Sequence, residues 1–181
     1  DVERSRGLGD VYKRQLYTLE RLLRNKKLAE RYLGGYAVIL RLTVDDYHHY
    51  CYVADGEKSP DVKIPGVFHT VNPAANDVCQ IYHENTREYC LLKTEQFGTI
   101  AMMEVGAMMV GKITNLKPGA CEVKKGEEKG YFEFGGSTIV LLLQHGKVRL
   151  DSDLIENSEN GYETIVRMGE RIGKCKLPKR A

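Results

Sequence analysis

The hydrophobic pattern of the chain changes from helical to strand-like at Gly34-Gly35. Between Leu16 and Leu33, leucines recur at roughly helical spacing among Arg, Lys and Glu, which predicts one amphipathic helix. Two adjacent glycines end that pattern, and short β-prone runs follow them. The pattern therefore predicts a helical lead-in to a mainly β domain.

Most of the remaining chain consists of strand-like runs separated by glycines and polar turns. The runs are Tyr36 to Leu42, Tyr50 to Ala54, Val78 to His83, Tyr89 to Thr94, Thr99 to Val105, Met108 to Leu116, Gly130 to Phe134, Thr138 to Gln144 and Lys147 to Leu150. Such close spacing is typical of all-β barrels and sandwiches. We expect a mainly β (α+β) fold, with a barrel- or sandwich-like domain behind an N-terminal amphipathic helix.

The first fifteen residues follow neither pattern. Asp1 to Gln15 carry scattered glycine and charge, so we interpret them as a foreign or disordered segment, for which an artefactual origin is one explanation. No Pro- or Ser-rich linker divides Gly34 from Lys176. The sequence thus predicts one domain over residues 16–181.

Composition narrows the classes of partner and compartment. With 27 basic and 25 acidic side chains the net charge is +2, which gives no reason to expect nucleic acid as a partner. Five cysteines without a CxxC pair, and no signal-like apolar start, favour a reducing, cytosolic-side location. The apolar run Thr138 to Leu143 is far shorter than the ~20 residues of a membrane-spanning helix. Work on lipid would therefore take place from the membrane surface.

The segment with the clearest chemical potential is Gly135-Gly136-Ser137-Thr138, in a turn between two predicted strands. Glycines permit backbone angles closed to other residues, so the peptide before Ser137 can be held in an unusual geometry. A hydroxyl beside such a carbonyl can attack it, and elimination of the resulting ester followed by hydrolysis leaves a pyruvoyl group. On the motif alone, an ordinary hairpin turn is the more common explanation.

Several stretches of the chain, in the same order, resemble the pyruvoyl-dependent phosphatidylserine decarboxylases. They are Arg41 to His48, Pro65 to Pro73, Glu84 to Glu88, Val105 to Ala107 with Val110-Gly111, and Phe134 to Thr138, together with Glu163-Thr164 and Arg167 to Glu170 near the C-terminus. The resemblance covers about Leu28 to Gly173. It implies an N-terminally truncated member, since the family has an aspartate upstream that orients the base for self-cleavage.

The resemblance implies that the chain cuts itself between Gly136 and Ser137 into a β-chain part, residues 1–136, and an α-chain, residues 137–181. Ser137 would become the pyruvoyl cofactor, form a Schiff base with phosphatidylserine and release CO2 to give phosphatidylethanolamine. His48 is the candidate for returning a proton to the substrate. The implied partners are phosphatidylserine in a membrane surface, the chain's own fragment as an α/β heterodimer, and a second copy as a homodimer. The implied location is peripheral, on the cytoplasmic face of a membrane.

The cleavage base departs from the family pattern. Many members have a second histidine where this chain has Cys51, so Cys51, His48 and His49 all remain candidates, and His69 is a candidate pocket residue. Without the upstream aspartate, an uncleaved and inactive chain is one expected outcome.

Other functional classes have weaker support. His48, His49, His69 and His83 with Cys51 lack the compact spacing of a zinc site, so no metal is expected. A non-catalytic barrel-sandwich module of the lipoyl or biotinyl type is the main alternative, although no lysine follows Met108-Met109. A pyruvoyl-dependent decarboxylase of a free amino acid is another. The lysines of the charged run Lys124 to Lys129 are expected in a solvated loop.

Overall fold

A computed structural model describes residues 10–12, 15–43, 45–66, 84–106, 112–133 and 137–176. The helices are α1 (Leu19–Leu23), α2 (Lys26–Glu30) and α3 (Ser152–Glu159). The strands are β1 (Asp10–Tyr12), β2 (Gln15–Tyr17), β3 (Tyr36–Leu42), β4 (His49–Cys51), β5 (Gly56–Lys58), β6 (Val62–Ile64), β7 (Arg87–Thr94), β8 (Gly98–Val105), β9 (Lys112–Asn115), β10 (Cys121–Val123), β11 (Glu128–Glu133), β12 (Ser137–Leu143), β13 (Val148–Leu150) and β14 (Gly173–Cys175). The predicted mainly β, α+β class is confirmed.

The largest sheet has seven strands in the order β10-β5-β7-β8-β12-β3, with β6 also paired to β7. Strand β12 lies between β3 and β8, and every one of its residues is buried. A strand covered on both faces needs a continuous apolar run, which the segment Ile139 to Leu143 supplies. The described strands form packed antiparallel sheets rather than a closed barrel.

A three-stranded sheet, β4-β11-β9, covers one face of the large sheet, which we call the inner face. One hydrophobic cluster joins Ile139 and Leu141 of β12 with Tyr50, Phe132 and Ile113 of the smaller sheet. Side chains alternate along a strand, so the residues of β12 in this cluster are every second one. The two sheets therefore form the sandwich-like core that was predicted.

The helical layer covers the opposite, outer face of the large sheet. Leu22, Leu23 and Leu28 share a second cluster with Val140 and Leu142 of β12. The prediction of one helix over Leu16 to Leu33 was wrong, because two short helices form instead. The reasons for the break are local. Arg24 ends α1 in the left-handed conformation at φ 47°, and the Asn25 side chain accepts a 3.0 Å hydrogen bond from Leu28 N at the start of α2.

Arg87 connects this helical layer to the sheet. Its side chain is fully buried and donates hydrogen bonds to the carbonyl oxygens of Leu22 (2.8 Å), Arg21 (2.9 Å) and Asn85 (2.9 Å). Burial, and to a smaller extent the charge of Arg24, lower the pKa of Arg87 to about 10. The guanidinium thus satisfies the last carbonyls of α1, which a helix leaves without partners.

Several elements were not predicted from the sequence, namely β1, β2, β5, β6, β10, β14 and α3. The predicted strand Val78 to His83, residues 108–111 of the run Met108 to Leu116, and Gly135-Gly136 lie outside the described residues. Strands β1 and β2 pair with each other. The interpretation of Asp1 to Gln15 as foreign, and the domain boundary at residue 16, stay predictions.

Candidate active site

Ser137 is the first residue of β12 and is fully buried. It lies opposite Leu42 of β3, and Ile139, two residues further on, lies in the inner-face cluster. Its side chain therefore points to the same inner face. The Ser137 Oγ atom has no hydrogen-bond partner among the described residues. Burying an unsatisfied hydroxyl costs roughly 1–3 kcal/mol, so a functional reason is expected.

His48 has a defined tautomer because of its contact with the preceding loop. Its Nδ1 lies 2.7 Å from the carbonyl oxygen of Asp46. A carbonyl only accepts hydrogen bonds, so Nδ1 carries the proton and donates it, which leaves a lone pair on Nε2 in the neutral ring. Nε2 is buried and without a hydrogen bond within the part of the chain that is described. His48 thus holds a proton acceptor inside the protein.

Hydrogen bonds from Thr43 and contacts with Phe132 hold the loop that carries His48. The carboxylate of Asp46 accepts hydrogen bonds from Thr43 N (2.6 Å) and Thr43 Oγ1 (2.9 Å), and these bonds lower the pKa of Asp46. The His48 ring packs edge-on against Phe132 at 6.5 Å between ring centroids, and Phe132 N donates to the His48 carbonyl (3.0 Å).

The structure places His48 and Ser137 at the same end of the sandwich. Leu42, opposite Ser137, ends β3 and leads into the loop that carries His48. Phe132, which contacts His48, lies near the end of β11, the strand that precedes Ser137. Two short stretches of chain therefore connect the two side chains at the boundary between the sheets.

His49 and Cys51, by contrast, lie on the outside of the three-stranded sheet. The His49 ring stacks on Tyr47 and Tyr131 at 4.6 and 5.1 Å, and its Nδ1 lies 2.5 Å from Oε1 of Glu128. Cys51 pairs with Glu128 at the start of β11, away from Phe132. The structure brings neither side chain to Ser137.

The environment of Cys51 also favours an unreactive thiol. Its sulfur lies 3.8 Å from the sulfur of Met168, and burial raises the pKa of the thiol. His69, His83 and Gly136 lie outside the described residues, so their predicted roles stay predictions.

A buried polar network that the sequence analysis missed lies between the two sheets. Lys129 is fully buried, and its Nζ donates to Oε2 of Glu104 and to Oδ1 of Asn115, both at 2.7 Å. The prediction of a solvated loop was therefore wrong for Lys129. The amide of Asn115 in turn donates to Oε2 of Glu88 at 3.0 Å.

Glu104 is the acidic centre of this network. Burial raises its pKa to about 7, although the nearby charge of Lys129 opposes the shift. The one sequence signal for this residue was a glutamate inside the apolar run Ile100 to Val105. Its partner Lys129 comes from a different sheet, so the pair is visible only in the fold.

The described residues contain no group of three or more His, Cys, Asp or Glu side chains able to hold a metal ion. None of their helices is long and apolar enough to cross a membrane.

Comparison with known proteins gives a consistent assignment. A family model described as phosphatidylserine decarboxylase matches residues 5–174. The chain is 48% identical over 162 residues to phosphatidylserine decarboxylase proenzyme 2 of Clostridium acetobutylicum, covering 90% of the chain and 55% of that relative. It is 47% identical over 161 residues to the proenzyme of Fusobacterium nucleatum, covering 88% and 54%. The chain spans about half the length of these curated relatives.

Proposed function

This chain belongs to the phosphatidylserine decarboxylase family, and from that premise we propose that it carries the self-processing serine and the decarboxylation site of such an enzyme. The observation that carries the proposal is the buried Ser137 hydroxyl, which follows Gly135-Gly136 and has no hydrogen-bond partner among the described residues. The name "proenzyme" of the relatives agrees with a chain that matures by cleavage. Neither a lipoyl- nor a biotinyl-type carrier module accounts for this family membership.

Cleavage would take place between Gly136 and Ser137. The Ser137 oxygen attacks the carbonyl carbon of Gly136, the peptide C–N bond breaks, and the acyl group moves to oxygen. Loss of the Gly136 carboxylate from the Ser137 side chain, followed by reaction with water and release of ammonia, leaves a ketone at the new N-terminus. Position 137 suits this chemistry because its oxygen forms no competing hydrogen bond within the described residues.

The two fragments would stay together after cleavage. Strand β12 belongs to the smaller fragment, yet it is hydrogen-bonded on one side to β3 and on the other to β8, both of the larger fragment. Arg41 and Glu163 add an ion pair between the fragments at 2.5 Å. An α/β heterodimer is therefore the expected mature form.

A pyruvoyl group at position 137 would serve as the electron sink that lets the substrate carboxylate leave as CO2. His48 would then return a proton to the substrate from Nε2, after Nε2 has taken one up from solvent, because this buried atom lies at the Ser137 end of the sandwich. Side chains alternate between the two faces along β4, and those of His49 and Cys51 point to the outside of the three-stranded sheet. We therefore favour His48 over His49 and Cys51 for any role at Ser137. His69 stays a candidate pocket residue.

The proposed substrate is phosphatidylserine in a membrane surface, with the protein bound peripherally on the cytoplasmic face. Exposed apolar side chains support binding at a surface. Tyr162, Ile165 and Met168, in the segment after α3, are 71%, 92% and 66% exposed. We also propose that two copies of the protein form a homodimer.

Intact-mass spectrometry of the purified chain tests the proposal, with a hydrazide probe for the ketone. The wild type should give two fragments divided at Gly136/Ser137, the smaller one reactive with the probe. Ser137→Ala should stay whole, and Ser152→Ala, an exposed serine of the same fragment, should cleave like the wild type. Release of CO2 from phosphatidylserine vesicles, but not from free serine, would distinguish the lipid enzyme from an amino-acid decarboxylase. A wild type that stays whole and unreactive, both at this length and in a longer chain that restores the upstream aspartate of the family, contradicts the proposal.

A further inference from the structure

The register of the large sheet places a second functional group beside Ser137. Thr138 lies opposite Val105, and Ile139 lies opposite Glu104. Continuing the register by one residue puts Gly106, which has no side chain, opposite Ser137. Ile139 lies two residues after Ser137 on the same strand, so both side chains point to the inner face, and Glu104 opposite Ile139 points there too. Glu104 is therefore the diagonal neighbour of Ser137 on the inner face. Diagonal neighbours are about 7–8 Å apart, within reach of a long side chain.

The free atoms of both side chains are buried on this face. Glu104 is fully buried, and its Oε2 accepts the hydrogen bond from Lys129. Its Oε1 forms no hydrogen bond of good geometry in the described part of the chain, although the Asn115 amide lies close enough to lower the pKa of this carboxyl, and Ser137 Oγ forms none either. The two atoms thus lie on neighbouring strands of one face, but they are not hydrogen-bonded to each other in this structure, so the side chains must approach before a proton can pass between them.

We propose that Glu104 accepts the proton of the Ser137 hydroxyl during self-cleavage, an inference that rests on the proposed function of Ser137. As the Oγ–H proton moves to Oε1, the Ser137 oxygen bonds to the Gly136 carbonyl carbon. When the peptide C–N bond breaks, Glu104 returns the same proton to the departing nitrogen of Ser137. The carboxylate is unchanged at the end of the step, so no further reactant is required.

The protonation behaviour of Glu104 suits this role. A general base works best with a pKa near the working pH, and burial raises the pKa of Glu104 to about 7. Lys129 keeps part of the carboxyl population ionised and holds Oε2, which leaves Oε1 as the free atom. The other ionisable groups around Glu104 are Glu88 directly opposite on β7, Tyr50 of β4, Cys90 of β7, and Asp61 and Lys58 of the β5–β6 region.

Many family members have a histidine at the position of Cys51, and in this chain the cleavage base is a different residue. Cys51 and His49 face outward, so the base for Ser137 comes from the interior. His48 also lies at this end of the sandwich, and the two residues have different roles. Glu104 acts on the Ser137 proton in cleavage, and His48 acts on the substrate in decarboxylation.

The test starts from uncleaved full chain that is isolated unfolded in urea, and it measures the rate of self-cleavage on refolding by intact-mass spectrometry, between pH 5 and 9. The wild-type rate should rise with pH through about 7 and then level off. Glu104→Gln should cleave at least ~100-fold more slowly, in the range typical of a lost general base. Glu104→Asp should recover part of the rate. Glu57→Gln, which changes an exposed carboxylate of the same large sheet outside the buried network, should stay within about 3-fold of the wild type.

A second variant separates chemistry from folding, because Glu104→Gln leaves Lys129 buried without its counter-charge. The double variant Glu104→Gln/Lys129→Met removes both charges and should fold but still cleave slowly. Cleavage by either variant within about 3-fold of the wild type, with the same pH profile, overturns the role of Glu104 and leaves that of Ser137 intact. A wild-type chain that stays whole even when it is extended to restore the upstream aspartate of the family overturns the function of Ser137 and this inference with it.

Discussion

The anchoring of the helical layer by Arg87 gives a stability prediction that does not depend on function. The change is Arg87→Met, which keeps an unbranched apolar stem but removes a guanidinium that donates to three backbone carbonyls. A background of Ser137→Ala keeps the chain whole, so that unfolding concerns a single covalent species.

The expected loss follows from the carbonyls left behind. Each buried acceptor without a partner costs about 1–3 kcal/mol, and the relief of no longer burying a charge offsets part of the sum. We expect the free energy of unfolding to fall by about 3–4 kcal/mol, close to the usual cost of breaking a buried charged contact. For a chain of this size that loss corresponds to a Tm lower by roughly 6–16 °C.

Urea unfolding followed by circular dichroism measures this loss. Arg149→Met is the matched control, because Arg149 is an exposed arginine in strand β13, and it should change the unfolding free energy by less than about 0.5 kcal/mol. Arg87→Lys keeps the charge but not the planar fork of donors, so its free energy of unfolding should lie between those of Arg87→Met and Arg149→Met. Arg87→Met and Arg149→Met variants of equal stability would refute the idea that Arg87 anchors α1.

Two further predictions concern the site. Folding raises the pKa of Glu104, so the native state holds a proton on this carboxyl at pH values where the unfolded chain has lost it. The stabilisation from this bound proton is fully present below the pKa of the unfolded chain, near 4.5, and is lost as pH rises through the native pKa of about 7. In the Ser137→Ala background, Glu104→Gln should therefore flatten the fall in unfolding free energy between pH 5 and 8, as measured by urea titration; an unchanged slope would contradict the assignment. Cys51→Ser should cleave within about 3-fold of the wild-type rate by intact mass, since the thiol lies on the outer surface; a loss of 100-fold would return Cys51 to the site.

The sequence predicted apolar positions better than it predicted where elements end. Leu22, Leu23 and Leu28, part of the single predicted helix, are all buried against the sheet. The break between the helices was missed because it depends on the left-handed conformation of Arg24 and on the cap formed by Asn25, which compete with a continuous leucine pattern. Strand β12 was predicted nearly to its ends because its apolar run has no alternative to full burial.

Candidate site residues were recognised only where they lie in one segment of sequence. Gly135-Gly136-Ser137 allows cleavage chemistry, but only the family resemblance of the surrounding stretches favoured that chemistry over an ordinary turn. Lys129 and Glu104 were not recognised, because a lysine in a charged run and a glutamate in an apolar run gain meaning only when two different sheets bring them to 2.7 Å. A pair separated by 25 positions in sequence leaves no local pattern.

The buried polar atoms at this end of the sandwich follow one physical principle. His48 and Glu104 each have one polar atom held by a neighbour, the Asp46 carbonyl or the Lys129 ammonium, and a second buried atom without a hydrogen bond within the described residues. The held atom fixes the orientation of the group, and the free atom keeps its capacity to exchange a proton. Ser137 is positioned by its backbone in β12 instead, which leaves its oxygen equally free. A core that satisfied every one of these atoms would be more stable, but it would have no group ready to react.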